Sequence, residues 1–306
     1  MNVRSQNASE MTLLYIAGYG RSGSTVLDML LDSRDGVVGL SEVTHLFQYL
    51  DEGKSCSCGD ALLNCQFWSP VIADLKESNI SDWKNIARIT RKLEARPVWW
   101  SSLFSRNELR SYGRAWSLVF ESITKNSSVW LVVDSSKTTR RTISRLRLLR
   151  KTSQANVGMT HLVRDPRAVV NSYLKGNNIE LEKGNAVAKR GGVLRVVPSW
   201  ILTNLAVHIS SLFTDKKVRV RYEDLVGDPN EQLDRIGQML GLELLASSDP
   251  AKVEEVGSGH GIAGNRVRRQ ARQRLVLDEQ WKQSMGNGKR RVAFICWPFM
   301  KAYGYV

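Results

Sequence analysis

A segment near the start of the sequence combines glycines, hydroxyl side chains and one arginine in the pattern of an anion-binding loop. It runs from Gly18 to Thr25 and reads GYGRSGST. Its glycines would let the backbone approach an anion closely, and the hydroxyl groups of Ser22, Ser24 and Thr25 add donors. If a helix begins where the loop ends, its free N–H groups point at the same anion. The segment therefore predicts a cradle for a phosphate-like group; a turn that only packs a helix on a strand is the alternative.

The loop differs from that of nucleoside triphosphatases at the position that matters for their chemistry. Their loop reads GxxxxGK[ST]; Gly18, Gly23 and Thr25 keep its spacing, but Ser24 stands where the lysine belongs. Because that lysine reaches the β- and γ-phosphates, its absence disfavours triphosphate hydrolysis. Arg21 supplies a cation earlier in the loop, where it would neutralise a leaving oxygen.

A second candidate anion site lies in the segment 161–167, which reads HLVRDPR. Asp165 is suited to cap a helix, and Pro166 is suited to the first helical position. Arg164 would then stand where a strand ends and a helix begins, with Ser172 early in that helix. This arrangement predicts a second phosphate site; an ion-paired Arg164 beside an exposed Ser172 is the alternative.

Four short apolar runs are predicted to be the buried strands that position these segments. Each is followed by turn residues and then by a segment with helical spacing, an alternation typical of a parallel sheet. The predicted fold class is therefore α/β, with a P-loop-like central parallel β-sheet flanked by helices. The four runs are residues 12–17, 129–133, 159–163 and 218–222.

A long, mainly helical stretch over about residues 69–126 separates the first two of these runs. It is too long for a simple crossover, so we expect an inserted helical cap over the carboxyl edge of the sheet, where ligands of such folds bind. The chain has 306 residues, of which 42% are hydrophobic, enough to bury one substantial core. We therefore expect residues 1–306 to form a single domain.

The net charge of +14 indicates a protein that attracts anions. Nucleic acid, a phosphorylated nucleotide, an acidic polymer and an anionic membrane surface would all satisfy it, and charge alone does not choose among them. The sequence has no apolar run long enough to span a bilayer, and its first residues are polar. We therefore expect a soluble, cytoplasmic protein.

Three motifs together make the sequence resemble the sulfotransferases that use 3′-phosphoadenosine 5′-phosphosulfate (PAPS), in the branch that contains bacterial and carbohydrate enzymes. Residues 20–27, GRSGSTVL, resemble the 5′-phosphosulfate loop, and residues 162–173, LVRDPRAVVNSY, resemble the 3′-phosphate motif. Residues 259–266, GHGIAGNR, are similar to a family segment that folds over the nucleotide, here within a lid over about 257–282. The resemblance implies a PAPS site built from Gly20, Arg21, Ser22, Gly23, Ser24, Thr25, Val26, Arg164 and Ser172, with Gly264, Asn265, Arg266 and Arg268 in the lid.

The resemblance also implies the reaction, which is in-line transfer of a sulfuryl group from PAPS to a hydroxyl group or, less favoured, an amine. Glu42 is predicted to be the base that takes the acceptor's proton, with His45 as the competing base. Arg21 and Lys137 are predicted to stabilise charge on the leaving phosphate and the sulfuryl oxygens, so no metal is required. The alternatives are a Glu42 that only caps a helix or forms a salt bridge, and a His45 with a structural role.

The acceptor is predicted to be a saccharide, a lipid or a secondary metabolite. The sequence lacks the PKSGTT-type loop and RKGxxGxW lid of the cytosolic branch, so the phenol and hormone acceptors of that branch do not carry over. The alternative functions are a P-loop kinase or triphosphatase and a basic nucleic-acid-binding protein. The latter rests on charge alone, because no nucleic-acid-binding motif is recognisable, and nucleic acid is not expected as a partner.

A basic segment over 137–151 has apolar residues at helical spacing and arginines on its other faces. It is predicted to be an outer helix with a solvated basic face. Binding of an acidic acceptor, or peripheral contact with an anionic membrane, is the alternative.

Three of the four cysteines cluster in the sequence, as Cys56, Cys58 and Cys65, and Cys296 lies far along the chain. Three thiols are one fewer than the four ligands of a structural zinc site. Reduced structural thiols are the expectation. A disulfide between two of the three, or a metal completed by Cys296 or a histidine, stays open.

Overall fold

A computed structural model describes residues 11–96, 105–138, 142–153, 155–174, 192–212, 214–242, 259–263 and 276–306. Its strands are β1 (Thr12–Ala17), β2 (Val37–Gly39), β3 (Leu131–Asp134), β4 (Asn156–Val163) and β5 (Lys217–Arg221). They form one sheet in the order β2-β3-β1-β4-β5, and every neighbouring pair runs parallel.

The predicted α/β fold with a central parallel sheet is confirmed. All six residues of β1 are buried, as expected of a central strand covered by helices on both faces. Strand β2 is missing from the sequence prediction, because three residues are too few to show a pattern. This short strand is important for the site, since the chain leaves it at the carboxyl edge of the sheet and reaches Glu42 three residues later.

Helices connect and cover these strands. The helix after β4 begins at Pro166 as predicted, with the Asp165 carboxylate accepting a hydrogen bond from the backbone N–H of Arg167 (2.8 Å). Within the described residues the helices are α1 (Ser24–Asp32), α2 (Leu46–Asp51), α3 (Trp68–Glu77), α4 (Trp83–Glu94), α5 (Arg106–Asn126), α6 (Arg145–Thr152), α7 (Pro166–Leu174), α8 (Gly192–Ser211), α9 (Tyr222–Gly227), α10 (Pro229–Leu240), α11 (Trp281–Ser284) and α12 (Gly288–Ala302), with a 3₁₀ turn at Val43–His45.

The described part of the insertion over 69–126 is helical as predicted and contains α3, α4 and α5. Its apolar side chains, such as Trp116 and Phe120, share one core with Leu13 and Tyr15 of β1. The described helices of the insertion therefore form part of the layer on one face of the sheet. The reason is that alternate residues of a strand point to the same face, and this apolar face needs a cover.

The other face of β1, with Leu14 and Ile16, packs on α1 and α10. A third apolar cluster joins α7, α8 and α12 around Trp200, and Cys296 belongs to it. Among the helices that the structure describes, none combines the length and apolar character that a membrane crossing requires.

Candidate active site

The carboxyl ends of the parallel strands bring the predicted site segments side by side. The backbone N–H of Thr138 donates to the carbonyl of Gly18 (3.2 Å), and that of Ser135 donates to the carbonyl of Ser41 (3.0 Å). The segments that follow β1, β2 and β3 are therefore joined at one edge, which is where open α/β sheets bind their ligands.

The anion-binding loop contains two glycines that no larger residue could replace without strain. A Cβ at Gly23, where φ is 94°, would lie 2.2 Å from the ring of Tyr222. A Cβ at Gly18 would lie 2.3 Å from the carbonyl oxygen of Leu162. Helix α1 begins at Ser24, so its free N–H groups lie at the end of the loop, as the predicted cradle requires.

The remaining loop residues lie at the same helix end. The Ser22 hydroxyl is buried and has no hydrogen-bond partner in the part of the chain that the structure describes. Arg21 has a left-handed backbone, with φ 68°, and its guanidinium lies 5.7 Å from the centre of the Tyr173 ring. Ser24 is buried, and Gly20, Arg21, Thr25 and Val26 are partly buried.

Arg164 links the second anion site to this loop. Its Nη1 donates to the carbonyl oxygen of Arg21 (3.1 Å), and its guanidinium lies 4.5 Å from the centre of the Tyr222 ring. The Arg164 side chain is 8% exposed, and its Nη2 lies 3.8 Å from a carboxylate oxygen of Asp278. Its Nε and Nη2 have no hydrogen-bond acceptor among the described residues. Buried charged donors without acceptors are costly, so an anion at this place would stabilise them.

Ser172 is the seventh of the nine residues of α7, later in the helix than the early position predicted for it, and it is partly buried. The next residue, Tyr173, contacts the loop, because its ring is tilted by 39° against that of Tyr19 (5.7 Å between ring centres) and lies near the Arg21 guanidinium. Its hydroxyl oxygen is 3.1 Å from where a Cβ on Gly20 would lie. The two predicted anion sites are therefore neighbours, with α7 packed against the loop.

Three of the predicted catalytic side chains lie together. Lys137 and Glu42 form an ion pair in which both side chains are largely screened from solvent, 18% and 26% exposed. The Nε2 atom of His45 lies 3.9 Å from the second carboxylate oxygen of Glu42. Glu42 is thus a salt-bridged residue, and its partner is the lysine predicted to stabilise the transferred group.

The backbone of Lys137 is held in place from the sheet. Its carbonyl accepts hydrogen bonds from the Tyr15 hydroxyl and from Oγ1 of Thr142, both 2.6 Å. Burial raises the pKa of the Tyr15 hydroxyl, which therefore stays protonated and continues to donate. Lys137 has a left-handed backbone, with φ 64°, which these two hydrogen bonds help to fix.

The structure also contains a buried charged network around Arg145, which the sequence did not predict. Arg145 is fully buried and donates from Nε to Asp134 at the end of β3 (2.6 Å) and from Nη1 to Glu94. Glu94 also accepts hydrogen bonds from the hydroxyl groups of Thr44 (2.6 Å) and Tyr112 (2.9 Å). The network therefore ties α4 and α6 to the two chain segments that carry Glu42 and Lys137.

The position of Arg145 corrects the interpretation of the basic segment 137–151. Helix α6 begins only at Arg145, and that arginine faces the core, while Arg150 is exposed as expected of a solvated basic face. The Arg145 guanidinium also lies 4.2 Å from the centre of the Trp116 ring. Spacing within the helix shows which residues share a face, but only the partners in other elements decide that one arginine is buried.

Part of the predicted lid also reaches the site. Ile262 forms a parallel bridge with Ser41, donates to the carbonyl of Leu40 (2.9 Å) and accepts from the backbone N–H of Glu42 (3.0 Å). The segment 259–263 therefore supports the backbone of the predicted base. The predicted lid contacts Gly264, Asn265, Arg266 and Arg268 lie outside the described residues.

Comparisons with known proteins agree on one family. The sequence model described as "Sulfotransferase family" matches residues 14–246. "Carbohydrate sulfotransferase 5" of Mus musculus is 28% identical over 166 residues, which are 49% of this chain and 42% of that protein. The chain thus matches less than half the length of this curated relative.

Solved structures also align with most of this chain. "Sulfotransferase Domain from the Curacin Biosynthetic Pathway" has a TM-score of 0.52 at 17% identity and covers 93% of this chain and 96% of its own. "Sulfotransferase Domain from the Synechococcus PCC 7002 Olefin Synthase" has a TM-score of 0.45 at 17% identity, with 95% and 91% covered. At this identity the first of these structures supports the fold.

Proposed function

Because the family model matches most of its length, this chain belongs to the sulfotransferase family, and from that premise we propose that it transfers a sulfuryl group from PAPS to a hydroxyl group. The observation that carries the proposal is the direct contact between the two predicted anion sites, where Arg164 Nη1 donates to the carbonyl of Arg21 (3.1 Å). One doubly phosphorylated nucleotide can span two sites that are this close. A nucleic-acid-binding surface would not need them to be joined.

The donor is proposed to lie along the carboxyl edge of the sheet. Its 5′-phosphosulfate would occupy the loop 20–26 at the start of α1, where the Ser22 hydroxyl has no partner among the described residues. Its 3′-phosphate would accept hydrogen bonds from Arg164 and Ser172. In this proposal Gly264, Asn265, Arg266 and Arg268 contact the bound nucleotide.

Catalysis is proposed to depend on Glu42 and Lys137 together. The ammonium group of Lys137 holds the Glu42 carboxylate in place, and an ionised carboxylate can accept the proton of the acceptor hydroxyl. The acceptor oxygen then attacks sulfur as the bond from sulfur to the bridging phosphate oxygen breaks, in line with the attack. Arg21 and Lys137 stabilise the charge that develops on the leaving phosphate and sulfuryl oxygens, and this chemistry does not require a metal.

The acceptor class follows from the same proposal. A saccharide hydroxyl is favoured because the curated relative is named a carbohydrate sulfotransferase. A lipid or secondary metabolite comes next, and an amine is less favoured. The net charge of +14 suits an anionic acceptor or peripheral contact with an anionic membrane. Nucleic acid is not proposed as a partner. The proposed location of the protein is the cytoplasm.

The direct test is to incubate the full chain with PAPS that carries labelled sulfur and a panel of saccharides, lipids, phenols and amines. We expect label in at least one acceptor and a saturable binding heat for 3′,5′-adenosine bisphosphate in calorimetry. Transfer of phosphate from ATP with magnesium would support the kinase alternative instead. Absence of both label and bisphosphate binding would remove the proposed function.

Replacing Arg164 with alanine is expected to weaken binding of 3′,5′-adenosine bisphosphate by about 10- to 100-fold, because the 3′-phosphate loses a charged hydrogen-bond donor. Affinity for adenosine 5′-monophosphate, which lacks that phosphate, should stay nearly the same. Calorimetry with both nucleotides measures the difference. Arg167→Ala is the matched control, because Arg167 pairs with Asp165 instead (2.6 Å); an equal loss for both nucleotides in the Arg164 variant would contradict the assignment.

A further inference from the structure

Three cysteines and one histidine that the proposed reaction does not use lie in a single cluster. The ligand atoms of Cys56, Cys58, Cys65 and His260 all lie within 4.8 Å of one another. Cys56 and Cys65 are buried, Cys58 is exposed and His260 is partly buried. The histidine is separated from the cysteines by about two hundred residues of chain, so the fold itself brings the four side chains together.

The separations within this cluster suit one tetrahedral metal ion. The Sγ atoms of Cys58 and Cys65 are 3.7 Å apart, and Nδ1 of His260 lies 3.3 Å from Sγ of Cys65 and 3.9 Å from Sγ of Cys56. Tetrahedral zinc, with bonds of about 2.3 Å to sulfur and about 2.0–2.1 Å to nitrogen, separates two sulfurs by about 3.8 Å and sulfur from nitrogen by about 3.6 Å. We propose that Cys56, Cys58, Cys65 and His260 bind one zinc ion.

The local chain conformation also suits a zinc site. Cys56 and Cys58 lie on a tight turn, in which the backbone N–H of Gly59 donates to the carbonyl of Cys56 (3.0 Å) and Gly59 has a left-handed φ of 103°. Cys65 lies just before α3 begins. Two ligands from a turn and one from a helix start present three thiols to one side, and the histidine closes the set.

Metal binding accounts for the cluster better than a disulfide does. The 3.7 Å between the Sγ atoms of Cys58 and Cys65 is far from the bond length of about 2.05 Å. A disulfide between any two of the cysteines would also leave the third thiol beside the imidazole without a role. Zinc would use all four side chains, with three thiols losing their protons on binding. Cys296 lies in a different apolar cluster, so it does not complete this set.

Groups around the cluster hold the histidine in place. The ring of Phe67 stacks on the His260 ring with centres 5.2 Å apart and planes 8° apart, and Nε1 of Trp68 donates to the carbonyl of His260 (2.8 Å). The Ser57 hydroxyl donates to the carbonyl of Gly259 (2.8 Å) and accepts from the N–H of Gly261 (2.9 Å). Such surrounding contacts orient metal ligands and strengthen binding.

The site is assigned a structural role. Four protein ligands close the coordination sphere, whereas a catalytic zinc keeps a position open for water or substrate. Zinc would fasten the segment 259–263 to the cysteine turn, and Ile262 of that segment bonds to the backbone of Leu40 and Glu42. The zinc site itself does not depend on the proposed sulfotransfer reaction; only the consequence for Glu42 does.

The test is to express the full chain in zinc-supplemented medium, purify it without chelators and measure metals by mass spectrometry. We expect close to one zinc per chain, and visible absorption bands of tetrahedral thiolate-bound cobalt after exchange with Co²⁺. Cys58→Ser should lose stoichiometric zinc while the chain still folds, because Cys58 is exposed. Cys296→Ser is the matched control and should keep the metal.

Each other outcome overturns the assignment. A folded wild-type chain that holds no zinc and takes up no cobalt would overturn the zinc assignment. This holds whether all of its thiols can be titrated or two of them form a disulfide that is detected by mass. Stoichiometric iron in place of zinc, or full zinc retention by both Cys58→Ser and His260→Ala, would do the same. None of these readouts uses sulfate transfer, so failure of the zinc site and failure of the proposed function can be told apart.

Discussion

Glu42→Gln is expected to lower kcat by about 10²- to 10⁴-fold, the usual contribution of a positioned general base. Glutamine has nearly the same shape and can still accept a hydrogen bond from Lys137, but it cannot take a proton from the acceptor. Affinity for 3′,5′-adenosine bisphosphate should therefore change little. The measurement is steady-state transfer of labelled sulfate with the best acceptor, together with calorimetry for the bisphosphate.

Two further variants make this result specific. Glu52→Gln is the matched control, because the exposed Glu52 side chain lies at the end of α2 and pairs with Lys54 and with the Gln48 amide rather than with Lys137; it should keep the wild-type kcat. His45→Gln tests the competing base, whose Nε2 is 3.9 Å from the Glu42 carboxylate. A large fall in kcat for His45→Gln with little change for Glu42→Gln would transfer the role of base to the histidine.

Arg145→Met is expected to destabilise the protein by about 3–5 kcal/mol, the usual effect of removing one partner from a buried ion pair. Arg145, Asp134 and Glu94 are all at most 1% exposed, so the variant leaves two carboxylates in the core without their cation. The measurement is the free energy of unfolding from urea denaturation. Replacement of all three charged residues by apolar residues would lower the free energy of unfolding much less than removal of one partner.

Arg150→Met is the matched control for this prediction, since it removes an exposed arginine from the same helix. Its effect on the free energy of unfolding should stay within about 0.5 kcal/mol, as for most surface substitutions. If Arg145→Met were no more destabilising than Arg150→Met, the buried network would not support the fold as described. Because Asp134 ends β3 three residues before Lys137, we also expect Arg145→Met to reduce transfer activity at urea concentrations below those that unfold the variant.

Local sequence was sufficient to predict the features that depend on neighbouring residues. The strand at 12–17, the glycine loop after it, the helix start at Pro166 and the helical insertion over 69–126 all follow from apolar spacing, glycines and capping residues within a few turns of chain. The parallel sheet follows from the alternation of such units. These parts of the fold are confirmed by the structure.

Tertiary structure alone decided which distant residues meet. Glu42 and Lys137 are 95 residues apart and Cys65 and His260 are 195 apart, and no periodic pattern in the sequence pairs them. The burial of Arg145 and the strand at Val37–Gly39 likewise could not be predicted from the sequence. The physical reason is that apolar spacing reports whether a residue faces a core, but its partners depend on strand order and layer packing, which neighbouring residues do not encode.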